Sequence, residues 1–372
     1  MIYLDYQATT PLAPEVAKAM QPWIEDRFAN PHSPSRWGRE ADAAIAIARR
    51  DVEQAIGLVG GSVAFTSGAT EALNWALKGM AAKAPAGRNR IVTVATEHAA
   101  VLDTCDWLES SGFELVRLGV STSGLIDIDE LRATLDERVL LVAVMLVNNE
   151  IGVIQPVAEA AAAAQQVGAL MLCDAVQGLG RVPISAGPDL VAVSAHKIHG
   201  PKSVGALWMR DGVVPDPLLH GGGQERGLRS GTLSPALCVG FGAAAKVASE
   251  RRDADNDHVG RLWRAALDAL GPEWTINGST EHRYFGNLNL RRDALDGARL
   301  ISDLRDIAFS LGSACASGSG RPSHVLRALG LSDREARGAI RLGFGRYTNE
   351  EELADACRRI DAAARAQQGL AA

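Results

Sequence analysis

The chain has 372 residues, of which 47% are hydrophobic and 5% aromatic, and its 44 acidic and 38 basic side chains leave a net charge of −6. This mildly acidic balance gives no support for direct nucleic-acid binding. The longest apolar run, Val139 to Val147, has nine residues, which is too short to cross a bilayer and suits a buried parallel strand. We therefore expect a soluble, Ala-rich globular enzyme with a large core and no membrane partner.

The first candidate site follows a short apolar stretch, Val63 to Phe65, and opens a helical run that extends from Glu71 to Met80. Between them lies Thr66-Ser67-Gly68-Ala69-Thr70, in which Gly68 frees the backbone and the amides and hydroxyls of a helix start can bind a phosphate. The chain has no Gly-x-x-x-x-Gly-Lys-Ser/Thr run and no Gly-x-Gly-x-x-Gly between a strand and a helix. Nucleotide binding is therefore disfavoured.

Buried strands that alternate with helices continue along the chain, and this alternation predicts an α/β domain with a largely parallel sheet. Polar side chains follow several of these strands and should gather at one edge of the sheet. The predicted strands are Ile91 to Ala95, Val139 to Val147, Ala169 to Cys173 and Leu190 to Val193, with a helix at Val157 to Val167.

Two strand exits carry the residues that pyridoxal phosphate needs. Asp174 follows one strand, where a carboxylate can keep a pyridinium nitrogen protonated. Lys197 follows the next strand, and because a buried ammonium is costly, a Schiff base with an aldehyde cofactor is a favoured explanation. A capping role for Asp174 and a solvated strand end for Lys197 are the structural alternatives.

Ordered motifs extend the pattern over most of the chain, which resembles the cysteine desulfurases of the NifS/IscS type. These are fold-type I, class V aminotransferase-like pyridoxal-phosphate enzymes. The segments that carry the resemblance are Leu4 to Pro11, Asn30 to Ser33, Ser67 to Glu71, Thr96 to His98, Val147 to Gly152, Ser194 to Lys202, His220 to Glu225, Arg229 to Thr232 and Gly312 to Cys315.

The resemblance implies a role for each matching residue in the cofactor site. Lys197 is the Schiff-base lysine, Asp174 the partner of the ring nitrogen, and His98 a catalytic imidazole stacked on the ring. Gln177 and Asn149 donate hydrogen bonds on the phenolic-oxygen side of the ring. The implied phosphate ligands are Ala69, Thr70, Ser194, His196 and, from the neighbouring subunit of a homodimer, Thr232.

The resemblance also implies the substrate and the reaction. Arg341, together with Asn149, binds the carboxylate of L-cysteine, a task suited to a planar guanidinium. The enzyme converts L-cysteine to L-alanine and passes the sulfur through a persulfide to an acceptor protein, for iron–sulfur cluster synthesis or for thiolation of cofactors or tRNA. Selenocysteine lyase, a transaminase and a non-catalytic scaffold are the alternatives.

Five cysteines occur, at 105, 173, 238, 315 and 357, without a Cys-x-x-Cys pair or a signal-peptide pattern. We therefore expect a reducing cytoplasm, no disulfide framework and no zinc site. Cys105, Cys173 and Cys357 fall in apolar or helical contexts that indicate packing. Cys315 instead lies in a Gly/Ser-rich segment that predicts a mobile loop carrying a nucleophilic thiolate. By the resemblance it accepts the sulfur, and it is also a candidate transient iron–sulfur ligand in a chain with no resident metal site.

We predict a large cofactor domain over residues 14–250 and a smaller α/β domain formed by residues 1–13 and 251–372, with a last helix at Glu350 to Gln368. Three departures from the family pattern affect the expected partners and pocket. The chain ends soon after that helix, which disfavours an IscU-like partner. The spacing from Cys315 to Pro322 favours direct sulfur delivery over a SufE-like activator. Leu342-Gly343 after Arg341 indicates a slightly altered carboxylate pocket.

Overall fold

The computed structural model describes residues 1–311 and 323–369. Within these residues the strands lie mostly in one large sheet and one small sheet. The strands are β1 Ile2–Tyr3, β2 Gly61–Thr66, β3 Arg90–Val94, β4 Glu114–Leu118, β5 Val139–Met145, β6 Leu170–Asp174, β7 Leu190–Ser194, β8 Gly205–Arg210, β9 Thr275–Ile276, β10 Asn287–Arg291, β11 Ile307–Ala308, β12 Ser310–Leu311 and β13 Ala339–Gly343.

Helices connect these strands and cover both faces of the large sheet. The helices are α1 Pro14–Glu25, α2 Arg36–Ile56, α3 Ala69–Ala82, α4 Ala99–Ser110, α5 Ile128–Thr134, α6 Val157–Gln166, α7 Pro235–Leu270, α8 Gly297–Asp303, α9 His324–Ala328, α10 Asp333–Arg337 and α11 Glu350–Gly369. No helix in these two described ranges combines the length and apolar character needed to cross a membrane.

The large sheet has seven strands in the order β2-β8-β7-β6-β5-β3-β4. Only β8 runs against its neighbours, β2 and β7, while β7 through β4 are parallel. Every residue of β5 is buried, as expected for a parallel strand with helices on both faces. The predicted mainly parallel seven-stranded sheet and α/β class are confirmed.

Two layers of apolar side chains enclose the large sheet. Helices α1, α2, α5, α6 and the first part of α7 pack on one face, and α3 and α4 pack on the other. The predicted strands and helices lie within one or two residues of their observed bounds. Strand β4 was not predicted, because its Glu114-Leu-Val-Arg-Leu sequence is only partly buried at the sheet edge and lacks a continuous apolar run.

A second core lies beside the large sheet. The antiparallel sheet β12-β13-β10-β9 packs with α8, α11 and the second part of α7, and β1 pairs in parallel with β11. Helix α7 joins the two cores, since Phe241 belongs to the first and Leu262 to the second. The proposed boundary between residues 250 and 251 falls inside this continuous helix and stays a prediction.

The N-terminal segment belongs to both cores. Leu4 is buried in the second core and Ala13 in the first, and the backbone of Leu4 and Tyr6 is hydrogen-bonded to Gly343. Residues 5–10 therefore cross from the small sheet to the carboxyl ends of the parallel strands. Those ends are where ligands bind in open α/β sheets.

Two isoleucines of α2 test this assignment of the core. Ile45 is 3% exposed and packs in the first core, whereas Ile47, on the opposite face, is 52% exposed. We expect Ile45→Ala to lower the free energy of unfolding by about 2 to 5 kcal/mol through lost burial and a cavity. The matched change Ile47→Ala should cost less than about 1 kcal/mol. Urea denaturation measures both, and equal losses would contradict the packing described.

Candidate active site

A cavity of about 560 Å³ opens at the carboxyl ends of the parallel strands. Its walls come from the β2–α3 junction, the exits of β3, β5, β6 and β7, the N-terminal segment and β13. The structure therefore brings together most of the residues predicted from the sequence. Those lining the cavity are Ala69, Thr70, His98, Asn149, Asp174, Gln177, Ser194, His196, Lys197 and Arg341.

Lys197 ends a short 3₁₀ turn that follows β7 directly. Its amino group donates hydrogen bonds to the carbonyl oxygens of Gln7 and Ala8, at 2.6 and 2.7 Å. The turn is fixed to the same segment, because the amide and hydroxyl of Thr10 both donate to the carbonyl of His196, at 3.0 and 2.9 Å. The N-terminal segment therefore holds the lysine at the cavity wall, a contact that no side-chain pattern in the sequence could reveal.

Asp174 is the last residue of β6 and is 7% exposed. Its carboxylate accepts a hydrogen bond from the amide of Val176 at 2.9 Å, and it forms no ion pair with any residue of the described ranges. Burial raises its pKa, which the positive fields of His98 and Lys197 partly offset. Such a carboxylate at a cavity wall is suited to a cationic ring nitrogen.

A second carboxyl group, Glu97, lies in the neighbouring β3–α4 turn and was not assigned a role from the sequence. It is 1% exposed and accepts a hydrogen bond from the amide of Met145 at 2.5 Å. Met145 is the register partner of Asp174 in the adjacent strand. Burial and the charge of Asp174 raise the pKa of Glu97 well above its usual value. Ionisation of both neighbouring buried carboxyl groups at once is therefore disfavoured.

The predicted phosphate ligands surround the start of α3. Gly68 precedes the first turn of this 14-residue helix, so the amides of Ala69 and Thr70 are unpaired within it. Gly205 in β8 lies close by, and a Cβ there would be 2.7 Å from the Gly68 backbone. Because Gly205 has no side chain, β8 can approach the Gly68 backbone closely, and the two segments shape a concave anion site.

His196 and His98 also face the cavity, and both are held by local hydrogen bonds. The Nδ1 atom of His196 lies 3.1 Å from the hydroxyl of Thr9, and burial lowers the pKa of this histidine to about 4. The Nδ1 atom of His98 accepts the Ala100 amide at 3.0 Å and caps α4. His98 therefore forms a local hydrogen bond at the start of α4, and this contact orients its ring at the cavity wall.

Arg341 in β13 is 1% exposed, and its guanidinium is already engaged on two sides. It pairs with Asp5 at 2.7 Å and donates to the carbonyl of Asn149 at 3.0 Å, while its buried Nε atom has no hydrogen-bond partner among the described residues. A substrate carboxylate at Arg341 would therefore meet a cation partly neutralised by Asp5. Asp5 lies in the Leu4 to Pro11 motif, but no role in the site was predicted for it.

Gly343, two residues after Arg341, lies against the side chain of Gln7. A Cβ at Gly343 would overlap the side chain of Gln7, which lines the cavity and donates to the carbonyl of Gly286 at 2.8 Å. Gln7 therefore occupies the space that any side chain at position 343 would need. This agrees with the altered pocket expected from Leu342-Gly343.

Thr232 does not line the cavity of its own chain and is exposed. Its loop is nevertheless connected to the phosphate cup, because Arg229 pairs with Glu71 at 2.8 Å and Glu71 accepts the amide of Ser67 at 2.8 Å. A contact between Thr232 and the phosphate of another subunit stays a prediction.

Cys315 lies outside the described residues. Cys105, Cys173, Cys238 and Cys357 are all buried and form no disulfide, and burial raises the pKa of the Cys105, Cys238 and Cys357 thiols to about 12. A packing role is confirmed for Cys105, Cys173 and Cys357. No group of three or more metal-ligating side chains occurs in residues 1–311 and 323–369.

Glu150, the last residue of the Val147-Asn-Asn-Glu motif, is a further carboxyl group beside this site. It is 4% exposed and accepts a hydrogen bond from the hydroxyl of Ser323. Burial raises its pKa to about 7, although Ser323 and the charges of Arg341 and His98 act in the opposite direction. Glu150 therefore changes charge near neutral pH.

Pyridoxal phosphate fits the residues present. The start of α3 with Ser194 and His196 suits a phosphate, Asp174 is a buried carboxylate in need of a cation, and Lys197 places an amine at the same cavity. This donor set and the mainly parallel sheet define a pyridoxal-phosphate enzyme of fold type I.

Comparisons with known proteins agree with this class. The aminotransferase class-V family profile matches residues 2–355. The cysteine desulfurase IscS of Rickettsia bellii (strain OSU 85-389) is 44% identical over 361 residues, covering 95% of this chain and 88% of that protein. The chain therefore belongs to the class-V aminotransferase family and, within it, to the cysteine desulfurases of the NifS/IscS type.

Solved structures show the same relationship. A NifS-like protein superposes with a TM-score of 0.90 at 34% identity, covering 97% of this chain and 98% of the other. SspA in complex with cysteine superposes with a TM-score of 0.83 at 33% identity, covering 94% and 100%. The predicted family and cofactor are confirmed, whereas the individual site roles stay predictions.

The position of Glu150 generates a pH prediction. A carboxyl whose pKa is raised by folding binds a proton more tightly in the folded chain, so it destabilises the fold increasingly as pH rises from about 4.5 to about 7. Between pH 5 and 8, wild type should lose roughly 2 to 3 kcal/mol of unfolding free energy relative to Glu150→Gln. Denaturant titrations at both pH values measure this difference.

The exposed Glu137 provides the control for this measurement, because Glu137→Gln removes the same charge from the surface. Its unfolding free energy should follow that of wild type from pH 5 to 8. A Glu150→Gln variant that also followed wild type would show that the folded chain does not raise the pKa of Glu150.

Proposed function

We propose that this enzyme uses pyridoxal phosphate to convert L-cysteine to L-alanine, with transfer of the sulfur atom to its own Cys315. One observation carries the proposal: Lys197, the buried Asp174 carboxylate and the start of α3 converge on a single cavity. The similarity to the cysteine desulfurase of Rickettsia bellii selects this activity over a transaminase, which has no use for Cys315.

Different residues of the chain would bind different parts of the cofactor. Asp174 would hold the ring nitrogen, and Ala69, Thr70, Ser194 and His196 would hold the phosphate. When bound, pyridoxal phosphate withdraws electrons from the α-carbon of an attached amino acid and makes its α-proton acidic. The raised pKa of Glu97 disfavours a second negative charge beside Asp174.

The substrate would be bound and converted by Arg341, Lys197 and Cys315. The guanidinium of Arg341, with Asn149 beside it, would bind the substrate carboxylate. The amine of Lys197 would remove the α-proton. The Cys315 thiolate would attack the substrate sulfur, so that an S–S bond forms as the C–S bond breaks, and the three-carbon product takes up protons and leaves as alanine.

The neutral His196 is suited to the phosphate by hydrogen bonding. Because its pKa is lowered to about 4, it carries no charge at neutral pH and contributes one N–H donor. Positive charge near the phosphate would come instead from Lys202, which also lines the cavity.

The persulfide on Cys315 would pass to a cytoplasmic acceptor protein, for iron–sulfur cluster synthesis or for thiolation of a cofactor or tRNA. The same thiol would serve as a transient iron–sulfur ligand at that stage. These assignments follow from the likeness to cysteine desulfurases, and the composition and cysteine usage of the chain support the compartment.

Two lysines of the cavity allow a test of cofactor attachment. Lys197→Ala should lose the visible absorbance of the bound cofactor, its borohydride-reducible attachment and at least about 10³-fold of the activity, because the covalent amine and base are removed. Lys202→Ala should keep the covalent attachment. Peptide mapping after reduction measures this, and a label that persists in Lys197→Ala would contradict the assignment.

Cys315→Ser separates binding from sulfur transfer. The variant should bind pyridoxal phosphate and L-cysteine like wild type, since neither contact needs the thiol. It should form less than about 1% of the wild-type alanine, because a hydroxyl cannot accept the sulfur at neutral pH. Cys238→Ser, which changes a buried cysteine, is the control. Alanine formation at the wild-type rate in Cys315→Ser would remove this thiol from the reaction.

The likeness to cysteine desulfurases, in which the residue matching Thr232 reaches the phosphate of the neighbouring subunit, supports a homodimer. This residue is exposed and away from its own cavity, so it could reach a phosphate only in a second subunit. Sedimentation should therefore show a dimer at assay concentrations, and Thr232→Val should weaken cofactor retention about 10-fold by loss of one hydrogen bond. An active monomer would contradict the shared site.

A further inference from the structure

Arg181 is a buried cation that lies just behind the cavity and is not part of its lining. It follows Gln177 by four residues in the turn after β6. Its guanidinium lies over the ring of Tyr284 at 5.1 Å, and no carboxylate of the described residues pairs with it. An arginine buried without an anion is costly. The contacts that hold Arg181 in this buried position therefore need an explanation.

Both ends of the guanidinium point to residues of the active site. One Nη atom donates to the side-chain oxygen Oε1 of Gln177, and the other donates to the backbone carbonyl of Lys197 at 2.7 Å. Only a planar, two-ended donor such as arginine can hold these two acceptors at once.

These contacts close a ring of four residues. Gln177 donates through Nε2 to the carbonyl of Gln7 at 3.0 Å, and the amine of Lys197 donates to that same carbonyl at 2.6 Å. Arg181 completes the circuit by joining Gln177 to Lys197. Three members, Gln7, Gln177 and Lys197, line the cavity, and Arg181 is the one that does not.

This circuit of hydrogen bonds determines which end of the Gln177 amide faces the cavity. The two ends are nearly identical in shape but opposite in hydrogen-bonding character. Because Arg181 can only donate, it requires Oε1 on its own side, and the NH₂ group must then lie toward Gln7 and the cavity. A flipped amide would place Nε2 against the guanidinium and leave donor facing donor.

We infer that Arg181 is a positioning residue for the cofactor: it keeps the NH₂ group of Gln177 available to the ring oxygen and fixes the backbone of Lys197. This inference rests on the proposed function, since it concerns how the same site binds pyridoxal phosphate. Arg181 touches neither cofactor nor substrate and acts through these two neighbours.

The test measures the visible absorbance of the holoenzyme as a function of pH. A donor to the ring oxygen stabilises negative charge there, so its loss should raise the midpoint of the titration. Arg181→Met should raise it by about one pH unit. Arg181→Lys should also raise it, because an ammonium cannot reach both acceptors. The wild-type midpoint in either folded variant would overturn the inference.

Arg283 provides a matched control. It is also a buried arginine over an aromatic ring, Trp263 at 4.2 Å, and it donates to the backbone carbonyls of Ser279, Ile151 and Asn287. Arg283→Met should reduce thermal stability without moving the absorbance midpoint. A shift equal to that of Arg181→Met would mean that any loss of a buried arginine perturbs the site, and would overturn the inference.

A double-mutant cycle with Gln177→Leu isolates the route of the effect. If Arg181 acts through the Gln177 amide, the double variant should show nearly the same midpoint as Gln177→Leu alone. Additive shifts would contradict this route. A wild-type protein with no visible absorbance after addition of pyridoxal phosphate would instead overturn the proposed function, so the two failures are distinguishable.

Discussion

The site depends on the amino group of Lys197 being held by the carbonyl oxygens of Gln7 and Ala8. These carbonyls belong to a segment that is hydrogen-bonded to Gly343 in the small sheet at one end and to the Lys197 turn at the other. The contact therefore joins both cores of the protein at the reactive residue. It places Lys197 next to Gln177 and within the same cavity as Asp174 and Arg341. A change in the packing of the small sheet would consequently alter the contacts that hold the Lys197 amino group.

Burial of carboxyl groups is the second constraint, and it raises the pKa values of three such groups around the site. Asp174, Glu97 and Glu150 are all nearly excluded from water, where several ionised carboxylates cannot coexist cheaply. The raised pKa of Glu97 disfavours its ionisation beside Asp174. Glu150 has a pKa of about 7 and is bonded to Ser323. Of these three carboxyl groups, Asp174 lines the cavity, where it suits the ring nitrogen of the cofactor.

Much of this arrangement could be predicted from the sequence, because strand exits are marked by apolar runs that end in polar residues. The exits at Asp174 and Lys197 and the helix start at Gly68 were found in this way. The backbone carbonyls of Gln7 and Ala8 could not be found, since backbone atoms carry no residue-type signal. Glu97 and Asp5 were missed because their partners, Met145 and Arg341, are distant in the sequence, and only the fold brings them together. The partly buried edge strand β4 lacked a pattern strong enough to identify.

Sulfur transfer from L-cysteine to one defined thiol can be followed in a single turnover of the holoenzyme with one equivalent of L-cysteine, followed by digestion and mass spectrometry of the cysteine peptides. We expect the Cys315 peptide to become heavier by one sulfur atom and one alanine to appear for each modified chain. Alanine formed while Cys315 stays unmodified, or sulfur found instead on Cys105, Cys173, Cys238 or Cys357, would contradict this expectation.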